Sequence, residues 1–431
     1  MSMKHFRSIP TPSHDGETTG RYVVTFREDS VSAGLASLKK HGGVAKLTSA
    51  KDFDNSAMDM ALMDEAGGAV FPTLGVAIVT LDKEAMRGMM TVTGQDNAIL
   101  DIEPERMFYA LGNGTLPAAY LRGYRDAVNH LYDKSIAGVE DEEDAETLVT
   151  FNDDAVSTWG LKATKAIASS FTGRGIKVAV LDTGLDMEHP DFLGRSITAK
   201  SFIAGEDVQD GNGHGTHCIG TSCGGKDNNG RRYGIAGEAS IFAGKVLSDE
   251  GSGSTSGIIA GIEWAIVHEC EIISMSLGNL VTTPSTAYET VGRRALQKGT
   301  LIIAAAGNHG DPPPPNTVGQ PANSPSIMAV AALNNRLKRA SFSAISGPDG
   351  GANVDIAGPG VDVYSSVPMP ARYDGTFSGT SMATPHVAGI AALWAQANAA
   401  RGSQLWQLLI SRARRLPIAA SRVGAGLVQA P

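Results

Sequence analysis

Cysteine is scarce in this 431-residue chain: Cys218, Cys223 and Cys270 are its only three. So small and odd a number implies no disulfide framework and leaves at least one thiol unpaired. Positive charge is also in short supply. The 36 Lys and Arg against 45 Asp and Glu leave a net charge of −9, without the basic footprint of a nucleic-acid binder. No apolar run approaches the roughly 18 residues that mark a membrane-spanning helix, so no membrane partner is expected. The opening stretch, MSMKHFRSIPTPSHDGETTG, lacks the apolar segment of a secretory leader. As written, the chain is expected to be intracellular, unless a leader is missing from this sequence or export takes another route. What the chain has in quantity is glycine, 51 residues, which signals tight turns and close backbone approaches. With 42% hydrophobic residues over this length, two globular domains are expected.

Residues 1–20 read as a polar tail. Within 21–111, RYVVTF reads as a strand, SVSAGLASLKKHGG as a helix ending in glycine, GVAIVTL as a strand and NAILDIEPERMFYAL as a last strand. That is enough for a small α+β unit. A connector covers 112–158, and its acidic run GVEDEEDAET (138–147) reads as a solvated linker. From 159 to 431 the texture changes. IKVAVLD, ASIFAGKVL, EIISMSL, TLIIAAAG and SIMAVAAL are continuous apolar strands, with helices such as SGIIAGIEWAIVHE and TAYETVGRRALQKG between them. Alternation of this kind predicts an α/β fold, a doubly wound and mostly parallel sheet covered on both faces. Its ligands and catalysts gather at the C-terminal ends of the strands.

Four residues of the right types occupy such places. Ser381 sits in GTSMATPHVAG, between a glycine-containing turn and a helix start, where free N–H groups and the helix dipole favour negative charge. Asp182 ends the strand KVAVLD, His214 lies in DGNGHGTHCIGTSCGG, and Asn308 closes LIIAAAGNHG. Serine is a weak nucleophile that needs an imidazole to take its proton. The imidazole needs a carboxylate to fix its tautomer and stabilise its cation. The oxyanion of a tetrahedral intermediate needs donors, here the Asn308 amide and the Ser381 backbone N–H. A metal site was weighed on His214, His217, Cys218 and Cys223, but no second pair and no HExxH pattern supports it.

The motifs VAVLDTGLD, GHGTHCIGT, ISMSLG, AAAGNHG and GTSMATPHVAG resemble, in order, those of the subtilisin-like serine proteases, the subtilases, over about 159–431. The resemblance implies a triad of Asp182, His214 and Ser381 with Asn308 as oxyanion donor, and structural roles for His217 and His386. It implies an extended peptide bound between Gly251-Ser252-Gly253 and Ser276-Leu277-Gly278, with a first pocket among Ser276–Gly278, Ala305–Gly307 and Gly319. No carboxylate stands at the likely base of that pocket, so a large apolar or aromatic residue is expected before the cut. No cofactor is expected for catalysis. Structural calcium is implied at Asp191 in HPDF and at Asp227, Asn228 and Asn229 in GGKDNNGRRYG, although Arg231 and Arg232 share that loop. Residues 21–111 resemble the family's prosegment, a small α+β ferredoxin-like inhibitor and folding aid, with Leu111 before the cut and Gly112 after it. The implied activity is that of an endopeptidase made as a zymogen and acting on protein or peptide substrates, with its own prosegment as intramolecular inhibitor. A peptide ligase or transpeptidase would share the acyl step. A catalytically dead binding protein would have lost one of the four residues, and all four are present.

Overall fold

The computed structural model describes residues 17–44, 46–93, 98–111, 149–310, 316–348 and 352–431. The N-terminal unit runs β1 (Thr18–Phe26), α1 (Val31–His41), β2 (Thr48–Ser49), α2 (Met60–Glu65), β3 (Gly68–Phe71), β4 (Val76–Val79), α3 (Lys83–Thr93) and β5 (Ile99–Ala110). Its sheet has the order β5-β1-β4-β3-β2, antiparallel except for the short β2–β3 pair.

The second unit begins with α4 (Trp159–Ala163), β6 (Lys177–Asp182), β7 (Ile197–Ser201), α5 (His214–Cys223), β8 (Ser240–Lys245), β9 (Ser252–Ser254) and α6 (Thr255–Val267). It continues with β10 (Ile272–Met275), β11 (Leu277–Gly278), α7 (Thr286–Gln297), β12 (Leu301–Ala305), β13 (Met328–Leu333) and β14 (Ile356–Pro359). It ends with the hairpin β15 (Val363–Ser366) and β16 (Tyr373–Phe377), then α8 (Thr380–Asn398), α9 (Gly402–Arg412) and α10 (Ala420–Val423). Its main sheet, β14-β13-β12-β10-β6-β8-β7, is parallel throughout, as the unbroken apolar runs require.

Period-two alternation sorts each strand between two cores. On β6, Val178 and Val180 join the core under α5 and α8, while Ala179 and Leu181 join the core under α6 and α7. The N-terminal sheet is split the same way. Val24, Ala77 and Val79 pack with Leu38 of α1 and Met89 of α3, whereas Val23, Val76 and Ile78 belong to the core that contains α6 and α7. Helices α6 and α7 therefore lie between two sheets. That explains why α6, TSGIIAGIEWAIV, is apolar on every side and buried from Thr255 to Ile266.

The described end of the connector is bound to the second unit. The Phe151 N–H donates to Asn335 O, the Trp159 N–H to the Asp153 carboxylate and the Arg232 N–H to Val156 O. The stretch 149–158 is thus part of this body and not of a free linker.

Candidate active site

Three neighbouring strands deliver the site from their C-terminal ends. Asp182 is the last residue of β6, Ser276 follows β10, and Asn308 lies just beyond β12. The other two members come from helix starts. Gly213, in the left-handed region at φ 102°, turns the chain so that His214 opens α5. His214 Nδ1 lies 2.7 Å from Asp182 Oδ1, and both side chains are buried. The same carboxylate oxygen accepts the Thr183 N–H at 2.8 Å. Burial favours the neutral imidazole, but the adjacent Asp182 carboxylate outweighs it and holds the His214 pKa well above the ordinary value. Nε2 of His214, the nitrogen that a base needs, is buried without a hydrogen-bond partner.

Ser381 is the second residue of α8. Pro385, four residues on, has no N–H, so the Ser381 carbonyl has no partner in the helix ladder. It accepts instead from Ser276 Oγ at 2.8 Å and from Cys218 Sγ at 3.5 Å. The proline that interrupts the helix pattern thus frees a carbonyl to dock the helix start on β10. Ser381 Oγ donates to Ser276 O at 2.9 Å and makes no bond to His214. Cys218 bridges the two helices, its sulfur 3.9 Å from His214 Nδ1. Buried in apolar surroundings, its thiol has a raised pKa and is a packing group.

Asn308 is aimed by its neighbour. Thr380 donates its N–H and its hydroxyl to Asn308 Oδ1, at 2.8 and 2.9 Å. The amide nitrogen is left facing the cleft, where Nδ2 donates to the Leu111 carbonyl oxygen at 2.7 Å. Leu111 ends a strand that lies between two edges. β5 pairs antiparallel with β9 through Met107–Ser254, Phe108–Gly253 and Tyr109–Ser252, and with β11 through Ala110–Leu277 and Tyr109–Gly278. The Ala110 N–H donates to Gly251 O at 2.9 Å and the Leu111 N–H to Ser276 O at 3.2 Å. Ser276 O therefore accepts from both Leu111 and Ser381. A Cβ on Gly278 would stand 2.9 Å from Leu111 Cδ1 and 3.0 Å from Gln320 O, so a glycine is required beside this side chain. Ala305 and Gly307 line the adjoining strand end, and the Gly319 N–H donates to Ala306 O at 3.2 Å. Gly112 lies outside the described residues.

Over residues 173–426 the sequence matches the model of the subtilase family of S8 peptidases, more than half of the chain. The chain belongs to the subtilase family. It is similar to subtilisin NAT of Bacillus subtilis subsp. natto, 43% identical over 263 residues, covering 61% of this chain and 65% of that protein. A subtilisin of Bacillus pumilus is 44% identical over 235 residues, 54% of this chain and 81% of that one. M-protease of Shouchella clausii is 43% identical over 261 residues, 60% of this chain and 63% of that protein. The match to subtilisin NAT thus spans about 65% of its length.

The two histidines for which structural roles were implied in this subtilase, His217 and His386, are both buried. His217 Nε2 lies 2.9 Å from Val363 O, its ring stacks on Phe377, and burial pushes its pKa down to about 3. His386 Nδ1 lies 2.8 Å from Met382 O, its ring fills the space left by Gly160, and burial lowers its pKa to about 4. Neither ring carries a charge at neutral pH. Among the described residues, the one group of three metal-donor side chains within mutual reach is Asp182, His214 and Cys218, the acid–base corner itself.

The residues singled out for calcium do not fit the ion. Calcium needs six to eight oxygens turned inward. The Asp191 carboxylate instead takes the Arg372 guanidinium at 3.0 Å and the hydroxyls of Tyr233 and Tyr373. Asp227 takes Arg231 Nε at 3.2 Å, the Tyr364 hydroxyl at 3.1 Å and the backbone N–H groups of Asn229 and Arg231. Asn229 is exposed, and the Arg231 guanidinium stacks 3.8 Å over the Tyr364 ring. Each carboxylate already has a resident cation.

Sequence reasoning missed the residues that aim the others. Thr380 precedes the serine, Ser276 was read only as substrate edge and pocket wall, and Asp210 was not singled out at all. The available signal was the phrase DGNGHGT, in which an aspartate precedes a glycine-rich turn into a helix.

Proposed function

We propose that this subtilase is a serine endopeptidase made as a zymogen, and that its own residues 21–111 are its first substrate and then its inhibitor. One observation carries the reading: the Leu111 carbonyl oxygen accepts from Asn308 Nδ2 at 2.7 Å while the Leu111 N–H donates to Ser276 O. A scissile carbonyl needs that arrangement, an oxygen on an amide donor and a strand paired on both sides. In the reaction, the Ser381 hydroxyl turns from Ser276 O to the unpartnered His214 Nε2 and loses its proton there. Its oxygen attacks the Leu111 carbonyl carbon. Asp182 steadies the imidazolium through Nδ1. The developing oxyanion is held by Asn308 Nδ2 and by the Ser381 N–H, which has no intrahelical acceptor so near the helix start. His214 then gives its proton to the amine of Gly112, the C–N bond breaks, and water hydrolyses the acyl-serine. Leu111 against Gly278, and Phe108 buried edge-on against Tyr288, support a preference for apolar residues before the cut.

Three carboxylates support the inhibitor role by tying the N-terminal unit to α6 and α7. Glu105 accepts the Ser256 N–H at the start of α6, and Glu103 accepts the Thr286 N–H and the Ser285 hydroxyl at the start of α7. In return Glu263 of α6 accepts the N–H groups of Thr73 and Leu74. The test is to incubate the purified chain and follow its early products by mass spectrometry. A first cut after Leu111, absent from Ser381→Ala, is expected. A first cut elsewhere in an active enzyme overturns the reading.

A further inference from the structure

Asp210 is buried and, among the described residues, makes no ion pair. Its carboxylate is fully occupied. Oδ1 accepts from the Thr183 hydroxyl at 2.9 Å, the Asn212 N–H at 3.1 Å and the Gly213 N–H at 2.8 Å. Oδ2 accepts from the Thr216 N–H at 2.8 Å and the Thr216 hydroxyl at 2.7 Å. Five donors is more than a structural turn needs, and their origin is informative. Thr183 is the neighbour of Asp182. Gly213 and Thr216 bracket His214. The Thr183 hydroxyl closes the circuit by accepting the Gly215 N–H at 2.8 Å. One carboxylate thus ties the end of β6, which carries the acid, to the first turn of α5, which carries the base.

We infer that Asp210 is a positioning residue for the His214–Asp182 pair, acting through Thr183. Resting on the reading of His214 as the base, the inference adds how that base is held. The loop that bears His214 has glycines at 211 and 213, the latter in the left-handed region, and would be loose without an internal tie. Its outer side is held separately, by the Gly211 N–H on Asp249 and by Asn212 Nδ2 on Asp249 O. Asp249 also takes Lys245 Nζ at 2.6 Å, and Lys245 donates to the Thr183 carbonyl at 2.6 Å. Thr183 is therefore fixed by its carbonyl from one side and by its hydroxyl from the other. The bond at stake is the 2.7 Å contact between His214 Nδ1 and Asp182 Oδ1. Proton transfer tolerates little misplacement: an error of about 1 Å in a reacting group costs on the order of 100-fold.

Three variants of the full chain test this, each allowed to mature and counted by a serine-directed active-site titrant. Asp210→Asn replaces one acceptor oxygen with an amide NH2 donor, which meets another donor whichever way it faces. Thr183→Val removes the hydroxyl at constant shape, and Thr183→Ser keeps it. Per titrated site, Asp210→Asn and Thr183→Val are expected to lose about 10- to 100-fold in kcat with little change in KM, because bound substrate does not touch this circuit. Thr183→Ser is expected to stay near the parent. A general packing defect would lower the melting temperature of all three and leave kcat per titrated site unchanged. That result overturns the inference, as does a Thr183→Ser as slow as Thr183→Val. If Ser381→Ala retains activity, or the titrant labels another residue, the reading of the base itself fails and this inference with it. If Ser381→Ala is inert and Asp210→Asn is unimpaired, only the role of Asp210 fails.

Discussion

Glu103 offers the cleanest probe of how the N-terminal unit is held, because its hydrogen-bond acceptors serve only the other unit. Its carboxylate takes the Ser285 hydroxyl, which itself caps α7 by accepting the Tyr288 N–H at 3.1 Å, and it takes the Thr286 N–H at 3.2 Å. Glu103→Ala therefore leaves the fold of the N-terminal unit alone and removes one charge-assisted contact from the interface. Such a contact contributes about 1.5–3 kcal/mol, with a further fraction of a kcal/mol from the charge at a helix N-terminus. Burial raises the Glu103 pKa, although Ser285 and the α7 backbone oppose it, so part of the gain goes to offsetting desolvation. A net loss of about 2–3 kcal/mol corresponds to roughly 30- to 150-fold in dissociation constant. The assay is a dilution series of freshly self-cleaved chain, with peptidase activity read at each concentration. Activity appears where the cleaved N-terminal fragment dissociates, and Glu103→Ala should shift that concentration upward by the stated factor. If the shift is less than about threefold while the melting temperature of the uncleaved chain is unchanged, the helix-cap account of the interface is wrong.

Asn308→Ala should cut kcat by about 10²–10³-fold, the range found when such a donor is removed from a subtilisin, with KM nearly constant. A raised KM with unchanged kcat would make Asn308 a binding residue only. The acid limb of kcat/KM should lie above the ordinary histidine range, near 6.5, because Asp182 raises the His214 pKa and only the neutral ring can accept a proton. Activity is then gained as pH rises through that value, and in Asp182→Asn the residual limb should move down, since burial acts there unopposed; a limb that stays put would refute this coupling. Because Arg372 and Arg231 already neutralise Asp191 and Asp227, the melting temperature of Ser381→Ala should change by no more than about 1 °C between chelator and added calcium. A larger rise that disappears in Asp191→Asn or Asp227→Asn would place calcium there after all.

The parallel sheet was legible because its strands are buried on both faces and so read as unbroken apolar runs; KVAVLD, SIFAGK and MAVAAL needed no context. The short or half-exposed strands β7, β14 and β16 left no such trace, since ITAKS and YDGTF alternate weakly and carry polar residues. In the N-terminal unit β1, α1, β4 and β5 followed the pattern, while α2, β3 and α3 went unseen. The region 149–158 was assigned to the connector because its composition is polar, yet its backbone groups are anchored to Asn335 and Arg232. Composition reports which groups can face water and not which ones do. Asp182, His214, Ser381 and Asn308 could be picked out because chemistry restricts the residue types that a proposed acid, base, nucleophile and amide donor can have. The orientation of the Ser381 hydroxyl was not legible, because it depends on the Ser276 carbonyl, 105 residues away in sequence. The arginine beside Asp191 shows a further limit: Arg372 is 181 residues away in sequence, and no local pattern announces that it takes a cation's place.

On the proposed reading, the arrangement also accounts for how one strand would serve first as substrate and then as inhibitor. Cleavage after Leu111 breaks a single covalent bond. It leaves intact the pairing of β5 with β9 and β11, the caps at Glu103 and Glu105, the Glu263 contact with the Thr73–Leu74 turn, and the sheet face of Val23, Val76 and Ile78 against α6 and α7. Almost all the free energy that held the substrate therefore remains to hold the product. An ordinary peptide has only the groove segment and leaves once its carbonyl is cut. The difference lies outside the groove, in an apolar face and the carboxylates of Glu103 and Glu105, which no short substrate can imitate. Under that proposal, release of activity would require loss of the unit as a folded body, so its own stability, more than the rate of the first cut, would set how long the enzyme stays silent.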